Sequence, residues 1–147
     1  MKNSKEAFSM IELVFVIVVI GILAGIAIPK FAASRNDAQN VRAKTTVAAV
    51  RNAISTERQK RILRGDFTNI ESLSKNTNFI FDTFDATDVR VIEYPIRGCE
   101  GDKRGCWTFA SSTYTYRLPG GTTNIDFQLK GNRFVCTSSS TSCKKLE

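Results

Sequence analysis

The chain has 147 residues, with 21 Lys or Arg against 14 Asp or Glu and no histidine. That length holds one domain of ordinary size plus an appendage, and the missing imidazole removes the commonest general base and metal ligand at neutral pH. The net charge of +7 is local: residues 30–64 hold nine Lys or Arg against Asp37 and Glu57, while the segments on either side balance, so an anionic partner would meet one segment only.

The chain opens on a short leader, residues 1–7, carrying Lys2 and Lys5. Residues 8–28 then form an apolar run whose only charge is Glu12. As a helix this run is about 30 Å long, the thickness of a bilayer's hydrocarbon core. The lysines hold the leader in the cytoplasm and place everything after Pro29 outside it. An ordinary secretory signal, cut near Gly25-Ile26-Ala27 to leave Ile28 at the new terminus, is one alternative. A plain single-pass anchor is another. Neither gives a reason for Glu12, because a carboxylate at this depth costs on the order of 2.5–3.5 kcal/mol and demands a partner. Gly21, Gly25 and Pro29 recur every four residues on one helix face. The two glycines permit close helix contact in a membrane, and Pro29 cannot bond to the carbonyl of Gly25.

The stretch Ala7-Phe8-Ser9-Met10-Ile11-Glu12-Leu13, with the apolar run and Pro29 behind it, resembles the signal and first helix of type IV prepilins and pseudopilins. The resemblance implies a membrane peptidase that cuts between Ala7 and Phe8 and methylates the new amine of Phe8; the family's usual glycine before the cut is Ala7 here. It implies that Glu12 pairs with the Phe8 amine of the next subunit and sets register during assembly. Tip-type minor subunits typically lack this acid, so Glu12 favours a repeating subunit. An inner-membrane platform protein and a cytoplasmic assembly ATPase are the implied partners, and the helix is expected to extend locally around Pro29 in a filament. Pilus, type II secretion pseudopilus and competence pseudopilus share this first helix.

Residues 31–63 contain no proline or glycine, and Gly65 supplies a stop behind Arg58, Lys60, Arg61 and Arg64, whose charges complement the helix dipole. One helix over residues 8–64 would be roughly 85 Å long, so lipid must cover its first half and a sheet or other subunits its second. Ala43, Val47, Val50 and Ile54 form a narrow apolar stripe for a sheet. Lys44, Arg51 and Arg58 follow one edge of that stripe, and Arg35, Arg42, Lys60 and Arg64 the other. This basic segment motivates an alternative function, DNA capture by a competence filament.

Thr68-Asn69-Ile70-Glu71 has the pattern of a capping box ahead of a short helix, and the residues from there to Asp88 read as loop. Residues 89–96, 107–110, 113–118, 124–130 and 133–136 are rich in aromatic and β-branched side chains between turn formers, predicting an antiparallel sheet of about four strands. The expected fold is α+β: a long amino-terminal helix packed by its second half on that sheet. Residues 1–7 are expected as leader, 8–29 as transmembrane and assembly helix, and 30–147 as an extracytoplasmic domain. Cys99, Cys106, Cys136 and Cys143 would form two disulfides outside the cytoplasm. Three connectivities exist, and the local pairs are favoured because each would tie down a segment poor in apolar residues. Without Cys-x-x-Cys or histidine a zinc site is not expected. Asp82, Asp85 and Asp88, or Glu100 with Asp102, do not match the EF-hand spacing for calcium. No cofactor and no catalytic constellation is expected; the chain reads as a structural subunit rather than an enzyme.

Overall fold

The computed structural model describes residues 8–147; the leader and the expected cut after Ala7 lie outside the described residues. The chain divides into two compact units, Met1–Arg35 and Asn36–Glu147, and helix α1, Met10–Leu63, contributes to both. In the first unit the backbone is helical from Met10 onward, through Gly21, Gly25 and Pro29. Its large apolar side chains are exposed, from Val19 at 36% to Met10 at 83%. By length and composition this segment can cross a membrane.

The second unit is built on a four-stranded antiparallel sheet of β3 (Cys106–Ala110), β4 (Thr113–Arg117), β5 (Asn124–Lys130) and β6 (Arg133–Cys136), which neighbour one another in chain order. Tight turns set the register. Ser111 and Ser112 both adopt positive φ between the paired Ala110 and Thr113, as do Gly131 and Asn132 between Lys130 and Arg133. Two consecutive positive-φ residues match the right-handed twist of the flanking strands. Strand alternation then turns Trp107, Tyr114, Tyr116, Ile125, Phe127 and Phe134 inward, where they join Ala43, Val47, Val50 and Ile54 of α1 in one core. The predicted stripe and sheet therefore form.

A smaller ladder, β1 (Phe79–Ile80) with β2 (Ile96–Arg97), lies beside β3. Between its strands Phe81 is fully buried at φ +60. This left-handed backbone costs a large side chain about 1–3 kcal/mol. The ring is held edge-on to Trp107 at 5.2 Å and to Phe134 at 5.6 Å and stacked on Tyr114 at 5.2 Å, contacts worth about 0.5–1.5 kcal/mol each beyond burial. The disulfides are local, Cys99–Cys106 and Cys136–Cys143. The first holds residue 99 against the outer edge of β3, where Cys99 N donates to the Trp107 carbonyl at 2.8 Å. The second closes a loop containing the short helix α2, Ser140–Cys143, after which Leu146 is buried in the core.

Three expectations for the connecting region are corrected. No helix follows Thr68, because other acceptors take the amides. Asp66 Oδ1 accepts from Thr68 N, Asn132 Oδ1 from Ile70 N, Asp85 Oδ1 from Glu71 N and Ser72 N, and the Tyr114 hydroxyl from Leu73 N. Residues 89–96 are not a strand: apart from the Thr83–Arg90 bridge, pairing waits until Ile96. The Val89 carbonyl instead accepts from Phe84 N, and Val91 N donates to Asp82. The segment before Asp88 is also not all loop, since it holds β1 and a 3-10 turn at Phe84–Ala86.

Candidate functional site

Within the apolar run of residues 8–28 the only charged residue is Glu12. Ser9 precedes α1 and its carbonyl accepts from Leu13 N at 3.2 Å. The Ser9 hydroxyl accepts from Glu12 N at 3.3 Å, while Glu12 Oε2 accepts from Ser9 N and from the Ser9 hydroxyl, each at 3.4 Å. This reciprocal arrangement is a capping box. It satisfies amide donors that the first helical turn leaves without partners, and it gives the carboxylate a local hold within its own chain. The Ser-x-x-Glu pattern occurs in the sequence here and, as Thr-x-x-Glu, at Thr68; only the amino-terminal copy is formed.

Around Glu12 the helix presents an uninterrupted apolar surface. Gly21 and Gly25 have open space where a Cβ would stand, so the backbone is accessible to another helix at both positions. Pro29 lies within α1, where its missing amide leaves the Gly25 carbonyl without the usual helical donor. Ala7 lies outside the described residues, and Phe8 is exposed.

In the second unit the apolar stripe of α1 continues into charge. Three and seven residues beyond Ile54, Glu57 and Arg61 are buried. Arg61 Nε bonds Glu57 Oε1 at 3.1 Å, and its other arm bonds Asp85 Oδ2 at 2.8 Å. Arg64 approaches the same Glu57 oxygen at 3.5 Å. Burial works against the Arg61 guanidinium, yet the hydrogen bonds it donates to Asp85 and Glu57, with the charges of both, outweigh it and leave its pKa raised. Asp85 adopts φ +48, which places its second oxygen on the amides of Glu71 and Ser72 at 2.7 and 2.8 Å. Sequence reasoning assigned Arg61 to the helix dipole and missed this cluster. The available signal was the stripe itself, since its spacing from Ala43 reaches residues 57 and 61.

The basic edge Lys44, Arg51 and Arg58 is engaged within the chain. Lys44 donates to the Glu147 carbonyl. Arg51 pairs with Glu147 Oε1 at 2.6 Å and donates to the Phe134 carbonyl at 3.1 Å, and Arg58 donates to the Thr68 carbonyl at 2.6 Å. Asp82 and Asp85 are likewise engaged, with Lys75 N and with Arg61.

Residues 2–28 match the family described as the prokaryotic N-terminal methylation motif. The chain is 44% identical over 59 residues to the type IV narrow pilus major component PilA5 of Thermus thermophilus, a match covering 39% of this chain and 51% of that protein. The chain thus spans about half the length of the curated relative it matches. No solved structure matches it. An N-terminal methylation motif, a long helix with an exposed apolar first part, and a carboxyl-terminal antiparallel sheet against its second part give the chain an α+β layout similar to that of type IV pilins.

Proposed function

We propose that the chain is a structural subunit of a type IV pilus or pseudopilus, stored in the inner membrane and polymerised through its apolar helix. Residues 1–7 act as the leader, removed between Ala7 and Phe8, and 8–29 as the membrane and assembly helix. Residues 30–147 form the extracytoplasmic domain. The observation that carries this reading is Glu12, a single carboxylate on an exposed apolar helix that lies within the matched motif. In the stored subunit its capping box lessens the cost of placing a carboxylate near lipid. On assembly the oxygens turn to the new amine of Phe8 on a neighbouring subunit, a charge-assisted bond about twice as strong as a neutral one. Register follows, because subunits displaced from that pairing leave a carboxylate uncompensated in an apolar medium. Gly21 and Gly25 allow the close approach, and Pro29 provides the weak turn where the packed helix extends.

The reading requires a prepilin peptidase, a platform protein and an assembly ATPase as partners, and mixed filaments with other pilin-like subunits are open to it. The substitution Glu12→Ala is expected to block incorporation into filaments while leaving insertion in the membrane intact. Filaments of normal yield and length from that variant would overturn the register mechanism. The mass of the membrane-extracted protein's amino terminus tests processing: methylated Phe8 is expected, and a terminus at Ile28 would make the chain a secreted protein instead. Capture of DNA, the alternative raised by the basic segment, has less support, because Lys44, Arg51 and Arg58 have partners within the chain.

A further inference from the structure

The groove between α1 and the edge strand β6 has a volume of about 770 Å³. Its open apolar side chain is Val135 of β6, 38% exposed, set over Ile54 and Phe134, which are buried in the core. Arg51, Arg58 and Arg133 bring three positive charges against one carboxylate, Glu147. Two of these arginines are held by bonds within the chain, to Phe134 and Glu147 and to Thr68. Arg133, exposed opposite Lys130 at the end of the sheet, is a positive wall with no acid across the strand pair. An occupant that matches this groove is acidic at its rim and apolar or aromatic at its centre.

The same unit carries a feature of that chemistry. Tyr94 is 83% exposed, next to exposed Glu93 and five residues from Val89, which is 40% exposed. Asp88 adds a second acid; Arg90 is the turn's cation, and its guanidinium donates to the Glu93 carbonyl at 2.9 Å, bracing the turn. Tyrosine is enriched among residues that dominate interfaces because a rigid ring buries much area at little entropic cost. Tyr94 ends this braced turn outside the core, with its ring left to solvent.

We propose that the turn of residues 88–94 docks in the α1–β6 groove of a second copy of this chain, with Tyr94 over Val135 and Glu93 facing Arg133. The placement of the two features in the sheet supports this occupant. The turn leads directly into β2, which lies beside β3, whereas the groove borders β6, and β3 and β6 are opposite edges of the sheet. A knob and a socket on opposite edges favour a heterologous contact, in which each copy offers its knob to one neighbour and its socket to another, and such a contact repeats along a filament when its rotation does not close a ring. The proposal rests on the filament reading above and adds a contact between globular units to the helix pairing.

The test uses the full-length protein in its own cells. A photoreactive phenylalanine analogue in place of Tyr94 is expected to crosslink, in filaments, to a peptide containing residues 133–135 of another copy. Glu93→Arg and Arg133→Glu are each expected to lower filament yield about tenfold at unchanged membrane level, and the double variant to return within about threefold of wild type, as for charges in direct contact. Filaments in which position 94 crosslinks elsewhere, or charge reversals that add without rescue, overturn this contact alone. Wild-type protein that never enters filaments overturns the filament reading and the contact with it. Loss of DNA capture by Arg133→Glu at normal filament yield would assign the groove to nucleic acid and overturn the contact.

Discussion

Replacing Asp85 with alanine tests how the connecting region is fastened to α1. The side chain makes three bonds: to Arg61 at 2.8 Å, and to the amides of Glu71 and Ser72 at 2.7 and 2.8 Å. Alanine leaves Arg61 with Glu57 alone, leaves two amides without their acceptor, and must hold φ near +48. Breaking a buried pair costs about 3–5 kcal/mol, and each bond to a charged group is worth about 1.5–3 kcal/mol. These losses are not additive, and the Asp85 side chain retains 24% exposure, so water recovers part of them. A net loss of about 3–4 kcal/mol is expected, near the lower part of the buried-pair range. Asp85→Asn tolerates the left-handed backbone and keeps an oxygen for the amides. Its amide nitrogen cannot accept from Arg61, so that one charge-assisted bond is lost, at an expected cost of about 1.5–3 kcal/mol. Denaturant unfolding of the full chain in mild detergent, followed by near-ultraviolet circular dichroism of the aromatic core, gives both values. An Asp85→Ala variant that unfolds within about 0.5 kcal/mol of wild type, the scale of an ordinary surface change, or two variants equally destabilised, would refute this role for Asp85.

Burial raises the pKa of both Tyr114 and Tyr116 above that of a free phenol. Their contribution to stability is thus full below the unfolded value, about 10, and is lost as pH rises through the folded values. The melting temperature is expected to fall above about pH 10, and Tyr116→Phe to flatten that fall; an unchanged alkaline limb in the variant contradicts this. Replacing Cys136 and Cys143 with serine is expected to cost about 2–4 kcal/mol and to release Leu146 from the core. Hydrogen exchange should then accelerate in residues 137–147 before it does in β3 or β4, and uniform acceleration would show that the loop is not a separate fastening.

Much of this protein is legible locally. The apolar run, the isolated Glu12, the spacing of Ala43, Val47, Val50 and Ile54, and the strand-and-turn rhythm after residue 106 each carry their period within one element. Backbone geometry turns those periods into faces without knowledge of distant residues. Cysteines seven residues apart lie close enough along the chain to pair as neighbours. The region between α1 and β3 was not legible in the same way. Whether Thr68 begins a helix depended on Asp85, Asn132 and Tyr114, which are remote in sequence and take its amides. Phe81 tolerates positive φ because of rings from β3, β4 and β6.

The helix, the four strands of the sheet and the equal local spacing of the cysteines were readable along the chain, because each shows in a pattern that repeats within about ten residues. Which charges are engaged is settled by packing in three dimensions: Arg61 buried between Glu57 and Asp85, Arg51 against Glu147, Arg133 and Tyr94 left exposed on opposite sides of a sheet. A formal charge is a property of a residue, but its partner is a property of the fold. Two charges attract strongly enough to matter only when packing brings them within a few ångströms and removes the water between them.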